Sequence, residues 1–336
     1  MRPMPSRNHE RLSGGEWLHS IRRPLPADQA SASGNETHVS NRSDIYARPD
    51  LYDMEYEGAS NQDAQFLARL LAPVRPRRVL ELACGSGRVT FALAAALAKA
   101  QIVGVDSSNE MLGHAAVAHD AAASSVRERV SFVKGDMRDW LGSGGAFDAV
   151  VIACCSVSHL LTLDDRRRTW ATAFRLLRPG GVFVLDVRVP DLATLAESQR
   201  VQPRAFVDLD IDTSRRSLGE EARLLRCTAT TYEPHLQRAD LRLIYDRFEQ
   251  RALAERLVTD FVSHVYFPAE LELLFVTAGF EIVRQYGDYR FVPCDRTSQF
   301  AVTVARRPRH SARRQFRRGP LRHNASPYPV NGLSDH

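Results

Sequence analysis

Residues 79–90, VLELACGSGRVT, are the stretch of the chain that decides its fold. The apolar run at 79–82 is typical of a buried strand in a parallel sheet. Gly85 and Gly87 follow it, and glycine permits a tight turn close to a ligand because it carries no side chain. The alanine-rich segment 91–100 predicts a helix, whose first N–H groups point at whatever lies above the sheet. Together they predict an α/β fold with a cofactor site at the turn.

A second short apolar segment, 101–106, ends in the carboxylate of Asp106. A helix of about 11 residues rises roughly 16 Å and a five-residue strand returns about 17 Å, so Asp106 should lie level with Gly85. A carboxylate there can accept hydrogen bonds from both ribose hydroxyls of an adenosine-type cofactor. Another role stays open, because Asp106 or Ser107 could instead cap the helix predicted at 108–123.

The glycine turn fits two classes of cofactor site. A dinucleotide site such as that for NAD favours a third small residue, in the pattern G-x-G-x-x-G/A, and Thr90 stands at that position. The alternative is the first motif of class I S-adenosylmethionine-dependent methyltransferases, which this segment resembles. That motif has an acid, any residue, a small residue and then G-x-G. Glu81, Ala83, Gly85 and Gly87 fill these positions, with Ala83 where glycine is more common.

Three later segments extend the resemblance. Residues 130–137 are similar to the third strand and acidic turn of the class, where Asp136 and Met137 match the positions that contact adenine. Residues 147–156 resemble the fourth strand, which leads into the floor of the active site. Residues 176–186 contain the L-x-P-G-G pattern that precedes the fifth strand. Segments in this order and spacing favour the methyltransferase class over the dinucleotide-binding one.

The resemblance covers about residues 46–307, and within the class it is to small-molecule enzymes acting on glycine or amino sugars. It implies a doubly wound α/β fold with a seven-stranded, mostly parallel Rossmann-like sheet. The segment 222–232 and the alternating polar and apolar residues at 239–250 and 255–267 predict a small antiparallel β insertion of three strands, at about 205–267, before the last helix. The resemblance also implies methyl transfer from S-adenosyl-L-methionine to a small-molecule acceptor, at nitrogen rather than oxygen. The residues expected to bind the cofactor are Glu81, Ala83, Gly85, Gly87, Arg88, Asp106, Ser107, Met111, Asp136, Met137 and Cys154.

Two further elements are candidates for the acceptor side. The segment 45–56 resembles the N-terminal lid of small-molecule methyltransferases, in which a tyrosine closes over the cofactor, and Tyr46 or Tyr52 is the candidate for that tyrosine. Tyrosine is also common at domain edges, so packing at the surface is the competing interpretation. His159 follows the fourth strand, where a side chain can face the substrate and act as a base. A histidine satisfied by the backbone at a helix start is the alternative.

Cys154 and Cys155 lie where nucleic-acid methyltransferases carry signature motifs. Cytosine-C5 enzymes carry a proline–cysteine or threonine–cysteine signature near this strand, and adenine-N6 enzymes carry Asn/Asp-Pro-Pro-aromatic. The sequence Ala153-Cys154-Cys155-Ser156 matches neither, so small buried cysteines are the better interpretation. Neither an H-E-x-x-H motif nor a paired acidic cluster is evident, so we expect no metal.

The net positive charge of the chain comes from its C-terminal end, and most of that end lies outside the predicted catalytic domain at 42–307. The chain has 336 residues and a net charge of +5, yet residues 306–323 alone contain eight arginines and no acid. We expect disorder in the polar segment 1–41 and in the basic tail 308–336. An RNA-binding tail or an NAD-dependent oxidoreductase are the alternative functions. We expect a cytoplasmic enzyme that does not bind membranes, because the five cysteines lack zinc spacing and the sequence shows neither a signal peptide nor a long apolar run.

Overall fold

The computed structural model describes residues 38–40, 45–56, 61–142, 146–198, 205–212, 222–249 and 252–309. The disorder predicted for 1–41 and 308–336 falls mostly outside these residues. Within the first segment, His38–Ser40 is described as a strand. Their strand hydrogen bonds come from a partner more than 200 residues later, which no local pattern indicates.

The helices and strands alternate through the first half of the described chain. The strands are β1 (His38–Ser40), β2 (Arg78–Leu82), β3 (Gln101–Asp106), β4 (Val130–Lys134), β5 (Phe147–Ile152), β6 (Leu177–Arg188), β7 (Ala205–Asp212), β8 (Ala222–Glu233), β9 (Arg238–Glu249), β10 (Ala252–His264), β11 (Glu281–Tyr286) and β12 (Phe300–Arg306). The α-helices are α1 (Pro49–Glu55), α2 (Gln62–Leu71), α3 (Arg88–Ala96), α4 (Asn109–Ala121), α5 (Ser124–Arg127), α6 (Leu163–Leu176), α7 (Leu192–Ser198) and α8 (Pro268–Thr277). Short 3₁₀ turns occur at Ile45–Ala47, Ala72–Val74, Ser156–His159 and Pro234–Leu236.

A seven-stranded sheet forms the centre of the fold, in the order β11-β12-β6-β5-β2-β3-β4. Strands β2 to β6 pair in parallel, while β12 pairs antiparallel with both β6 and β11. Apolar side chains cover both faces: Leu80 and Leu82 of β2 belong to one core cluster, and Val79 belongs to the other. This double burial explains the continuous apolar runs of the sequence. The predicted seven-stranded Rossmann-like fold is confirmed.

The glycine turn begins helix α3 earlier than predicted. Gly87 stands at the helix N-cap with a left-handed φ of 84°, and the helix runs from Arg88 to Ala96 rather than over 91–100. At α4 the cap is Ser108, whose Oγ accepts a hydrogen bond from the Met111 N–H at 3.1 Å. The capping role considered for Asp106 or Ser107 therefore belongs to Ser108, which leaves Asp106 for other contacts.

The Pro-Gly-Gly turn predicted before the fifth strand is instead a bulge inside β6. The pairing of β6 with β5 shifts between Leu177 and Val182, so the residues between them bulge from the sheet. Gly180 within that bulge has a φ of 84°, a conformation that glycine adopts without strain. The Pro-Gly-Gly sequence therefore lies inside the strand rather than before it, and strand hydrogen bonds continue on both sides of the bulge.

The inserted sheet is larger than the three antiparallel strands predicted. Its order is β1-β10-β9-β8-β7, in which β7 to β10 form an antiparallel meander and β1 joins β10 in parallel. The meander lies within the predicted bounds of 205–267. The extra strands are β7 and β1. Among the described residues, no helix is long and apolar enough to cross a membrane.

Candidate active site

A cavity of about 970 Å³ opens at the carboxyl ends of β2, β3 and β5. Loops that follow the parallel strands form one wall, which we call the cofactor wall. The N-terminal segment 45–56 and strand β10 form the opposite wall, which belongs to a unit that we call the cap, consisting of segment 45–56 and the inserted sheet. Seven of the predicted cofactor residues line the cavity, namely Ala83, Gly85, Asp106, Ser107, Met111, Met137 and Cys154.

Asp106 links the two loops of the cofactor wall. Its Oδ2 accepts a hydrogen bond from the Gly85 N–H at 2.8 Å, and its Oδ1 accepts one from the Ser108 N–H at 2.8 Å. Gly85 has a φ of 55°, and a Cβ built on it would meet no atom within 4 Å. The turn therefore exposes bare backbone to the cavity beside a carboxylate, which is the arrangement expected for an adenosine-type ligand.

Two motif residues lie beneath the cavity rather than on its surface. Glu81 is only 2% exposed and accepts a hydrogen bond from the Thr90 hydroxyl. Burial raises the pKa of Glu81 to about 8, so its carboxyl group is mostly protonated at neutral pH. A Cβ on Gly87 would lie 2.6 Å from the Phe132 ring. Both residues shape the turn through packing, and neither lines the cavity.

Two other predicted cofactor residues are held by ion pairs. The Arg88 guanidinium donates to both carboxylate oxygens of Asp63, at 2.7 and 2.6 Å, and its Cζ lies 4.7 Å from the ring centroid of Tyr56. Asp136 is held by Arg138, whose hydrogen bonds lower the pKa of that carboxyl group. Neither Arg88 nor Asp136 lines the cavity, and each has a partner of opposite charge.

All three acceptor-side candidates, Tyr46, Tyr52 and His159, line the cavity. The Tyr46 hydroxyl lies 2.7 Å from His159 Nε2, within hydrogen-bond distance. The Tyr52 hydroxyl donates to Cys154 Sγ at 3.6 Å. The 3₁₀ turn that carries His159 is fixed by buried Tyr266, whose hydroxyl donates to the Val157 carbonyl at 3.0 Å. The structure thus joins the lid tyrosine and the histidine in one contact.

Cys154 lies on the part of the cavity floor that follows β5, and Cys155 is the next residue of the same loop. Both adopt left-handed conformations, with φ of 58° and 56°, which are uncommon for residues with a side chain. Burial raises the pKa of the Cys154 thiol to about 11, and burial beside Asp186 raises that of Cys155 well above its ordinary value. Protonated thiols are weak nucleophiles, which fits the interpretation of these cysteines as small packing residues.

Strand β10 supplies lining residues that the sequence did not predict. Thr259, Asp260, Phe261 and Val262 line the cavity, and the Phe261 ring centroid lies 5.8 Å from that of His159. The alternating pattern at 255–267 predicted a strand but gave no signal of what its side chains would contact. The other missed lining residues are Ala47, Tyr56, Ser108, Asn109, Glu110, Ser156 and Leu161.

Partly buried ion pairs hold the N-terminal segment to the inserted sheet. Arg48 pairs with Glu255 of β10, and Glu55 of α1 pairs with Arg226 of β8. The Tyr245 hydroxyl donates to the second Glu55 oxygen at 2.8 Å. Ile45 and Leu51 complete the contact by joining a small apolar core with buried residues of β8, β9 and β10. The segment 45–56 is therefore part of the cap.

The described residues contain no group of three or more His, Cys, Asp or Glu side chains arranged to hold a metal ion.

Asp186 is a buried carboxyl group near the site, and its Oδ2 accepts hydrogen bonds from the Cys155 N–H at 3.0 Å and the Tyr289 hydroxyl at 2.8 Å. Burial raises the pKa of Asp186 to about 6. This acid fixes the cysteine loop from below.

Comparisons with known proteins agree with this geometry. Residues 79–181 match the family model described as a methyltransferase domain. The Bacillus subtilis protein YqeM, named as a methyltransferase, is 35% identical over 137 residues, which cover 41% of this chain and 51% of YqeM. The trans-aconitate 2-methyltransferase of Deinococcus radiodurans is 33% identical over 140 residues, covering 41% of this chain and 48% of that protein.

A third relative is the dTDP-4-amino-2,3,4,6-tetradeoxy-D-glucose N,N-dimethyltransferase of Saccharopolyspora spinosa, 30% identical over 41% of this chain and 53% of that protein. The chain thus spans about half the length of the relatives it matches. Among solved structures, the CcbJ methyltransferase of Streptomyces caelestis superposes with a TM-score of 0.60 at 23% identity, covering 76% of this chain and 95% of that one. These matches confirm the predicted resemblance to class I methyltransferases.

Proposed function

We propose that this chain, which has the fold of the class I methyltransferases and a methyltransferase domain at residues 79–181, transfers a methyl group from S-adenosylmethionine to a small molecule. The observation that carries the proposal is the placement of Asp106. Its carboxylate lines a large cavity and is tied to both the glycine turn and the start of α4. This is where a carboxylate can accept the two ribose hydroxyls of an adenosine-type cofactor.

The residues of the cofactor wall fit S-adenosylmethionine. The open backbone at Gly85 and the neighbouring Ala83 would accommodate the methionine end, and Met111 and Met137 offer apolar contact for the adenine ring. Asp136 is committed to Arg138, so we assign it the positioning of the loop beside Met137. Glu81, Gly87 and Arg88 would act in the same indirect way, by fixing the turn from below.

Bound S-adenosylmethionine supplies a sulfonium methyl group, whose carbon–sulfur bond breaks with its electron pair kept by sulfur as the acceptor takes the methyl. The protein then mainly has to hold the acceptor in line. His159, in contact with Tyr46 at 2.7 Å, can take the proton that an acceptor ammonium must lose. An amine needs only to lose this proton before it attacks, whereas a hydroxyl has to be deprotonated as it attacks, so the proposal favours nitrogen over oxygen.

The competing functions have less support. An NAD-dependent oxidoreductase is disfavoured by Thr90 in the third small position and by the methyltransferase match. A role in RNA binding rests on the basic tail, and residues 310–336 lie outside the described part of the chain. All five cysteines are free thiols, which supports the cytoplasmic location that we include in the proposal.

Calorimetry with S-adenosylhomocysteine tests this function through Asp106. We expect Asp106→Ala to weaken binding by about 100-fold, because two charge-assisted contacts to the ligand and the loop tethers are lost. Asp120→Ala is the matched control. Asp120 lies on α4, but its side chain is 86% exposed and does not line the cavity. Failure of the wild-type protein to bind S-adenosylhomocysteine, or normal binding by Asp106→Ala, would contradict the proposal.

A further inference from the structure

We infer that Arg166 is a positioning residue for the methyl transfer, which fixes the loop that presents His159 to the cavity. Arg166 is held in turn by Glu270 and His264, and we call these three side chains the polar cluster. The inference rests on the proposed function, because it gives the cluster a role in placing the proposed base. None of the three is among the described residues that line the cavity, so the cluster acts through His159 rather than on the acceptor.

Arg166 holds the backbone that directly follows His159. The 3₁₀ turn Ser156–His159 ends at Leu160, and Arg166 lies in the first turn of α6, which begins at Leu163. Its Nη1 reaches back and donates to the Leu160 carbonyl at 3.0 Å and to the Leu161 carbonyl at 3.3 Å. One guanidinium therefore fixes the two carbonyl groups that come next after His159 in the chain.

The backbone before His159 is held as well, by the contact of the Tyr266 hydroxyl with the Val157 carbonyl at 3.0 Å. His159 thus lies between carbonyl groups that are bound on both sides. Its ring contacts the Tyr46 hydroxyl at 2.7 Å and lies 5.8 Å from the Phe261 ring, measured between centroids. Proton transfer requires hydrogen-bond geometry, so a displacement of this loop by about 1 Å would be enough to slow the reaction.

The direction of the Arg166 side chain is set by its partners. Arg166 is only 8% exposed, and its Nε lies 3.5 Å from Oε1 of Glu270. That oxygen lies 2.9 Å from Nε2 of buried His264, while the second Glu270 oxygen accepts a hydrogen bond from Gln237 Nε2 at 3.3 Å. His264 is the last residue of β10, the strand that lines the cavity with Phe261. The polar cluster therefore ties the His159 loop to the facing wall of the cavity.

Attachment of α6 to α8 does not explain the polar cluster. Apolar side chains already join these helices: Trp170 of α6 and Phe275 of α8 are both fully buried, with ring centroids 5.6 Å apart. A buried ion pair adds little to such packing, because desolvation offsets the attraction between the charges. Carbonyl groups of a loop, in contrast, can be bound only by a donor. The contribution that is specific to Arg166 is therefore the position of the His159 loop.

Arg166→Lys tests this role in the full-length protein. Lysine keeps the positive charge beside Glu270, but a single ammonium group cannot reproduce the fixed geometry of the guanidinium. We expect the ring signals of His159 to shift in NMR spectra of protein with labelled histidines, in which His159→Gln identifies those signals. The initial rate of label transfer from methyl-labelled S-adenosylmethionine to a metabolite extract of the source cells should fall about ten-fold. The Kd for S-adenosylhomocysteine should stay unchanged.

Arg175→Lys is the matched control, because Arg175 lies on the same helix and also donates to two successive carbonyl groups, those of Trp140 and Leu141, at 2.6 and 3.0 Å. Neither of these residues lines the cavity, so this variant should leave the His159 signals and the labelling rate unchanged. Glu270→Gln is the second test variant, since it removes the charge that holds Arg166 but keeps the shape of the side chain. It should shift the same His159 signals, and it replaces Arg166→Lys if that variant does not fold.

The outcomes separate this inference from the proposed function. Unchanged His159 signals in the folded test variants, alongside normal labelling by the wild type, would overturn the inference alone. An equal loss of rate in Arg175→Lys, or a parallel loss of affinity for S-adenosylhomocysteine in Arg166→Lys, would also overturn it, because the effect would then not act through His159. Wild-type protein that transfers no label to the extract would contradict the proposed function and, with it, the inference.

Discussion

The two walls of the cavity are built in opposite ways. On the cofactor wall, Asp106 binds backbone N–H groups of residues 21 positions before it and two after it. In the cap, the ion pair Arg48–Glu255 joins residues 207 positions apart, and Glu55–Arg226 joins residues 171 apart. One wall is thus fixed by short loops at the ends of parallel strands, while the other depends on side-chain pairs between distant segments.

This difference predicts where the molecule is vulnerable. On the cofactor wall the donors of these contacts are backbone N–H groups, which every residue except proline supplies, so these contacts depend on one side chain alone, that of Asp106. The cap instead concentrates its attachment in a few charged side chains, and one partner of a buried pair cannot be removed without leaving the other charge poorly compensated. Changes in single residues should therefore separate the stability of the two walls.

The largest effect is expected from Glu55→Gln. Arg226, with a side chain 18% exposed, would lose its carboxylate partner, at a cost of about 4 kcal/mol. Because the pair belongs to the cap, hydrogen exchange should accelerate in β8, β9 and β10 but not in β2, β3 and β5. Asp288→Asn is the control, since its partner Arg290 is 78% exposed, and it should cost less than about 1 kcal/mol. Equal acceleration in both sheets would show that the cap is not a separate unit.

The next largest effect is a pH dependence of stability that comes from Glu81, which lies beneath the cofactor wall. Its carboxyl group has a pKa near 8 in the folded protein and an ordinary value in the unfolded chain, so the folded state binds the extra proton between these values. The free energy of unfolding should therefore fall by roughly 3 kcal/mol from pH 5 to pH 8. Chemical denaturation of the ligand-free protein across this range measures it.

Glu81→Gln should remove most of this slope, because an amide can keep the contact with Thr90 without ionising. Asp186→Asn is the comparison variant. Because the pKa of Asp186 is about 6, this group contributes to the loss of stability only at the lower end of the pH range, and its variant should keep the slope near pH 7 to 8. Identical pH profiles for wild type and Glu81→Gln would show that Glu81 is already ionised in the folded protein.

A smaller effect is expected where the two walls meet, at Tyr46 and His159. Tyr46→Phe removes the hydroxyl of this contact and should lower kcat/KM by about five-fold, with the affinity for S-adenosylhomocysteine unchanged. Tyr232→Phe is the control, because Tyr232 is a buried tyrosine of β8 that does not line the cavity. A parallel loss of cofactor affinity in Tyr46→Phe would place Tyr46 on the cofactor wall instead.

The same contrast explains what the sequence could predict. Strand ends, the glycine turn and Asp106 follow from local patterns, because period, length and turn residues determine where a parallel strand stops. The partner of Glu55 cannot be predicted in this way, since nothing near Glu55 distinguishes Arg226 from the other arginines of the chain. Asp136 shows a further limit, because its pairing with Arg138 is a matter of side-chain geometry. Local patterns thus indicate the loops of the cofactor wall, whereas the side-chain pairs that attach the cap depend on distant segments.

The smallest effect concerns Ala83, the position where the chain departs from the glycine that is common in the motif. The structure gives the physical cost of that departure, because Ala83 adopts a left-handed φ of 57°. This conformation costs a residue with a Cβ about 1 kcal/mol relative to glycine. Ala83→Gly should therefore stabilise the folded protein by about that amount and raise Tm by about 2 °C. A loss of stability in Ala83→Gly would mean that contacts of the Ala83 methyl group outweigh the backbone strain. Calorimetry of this variant therefore measures the net cost of a side chain at position 83.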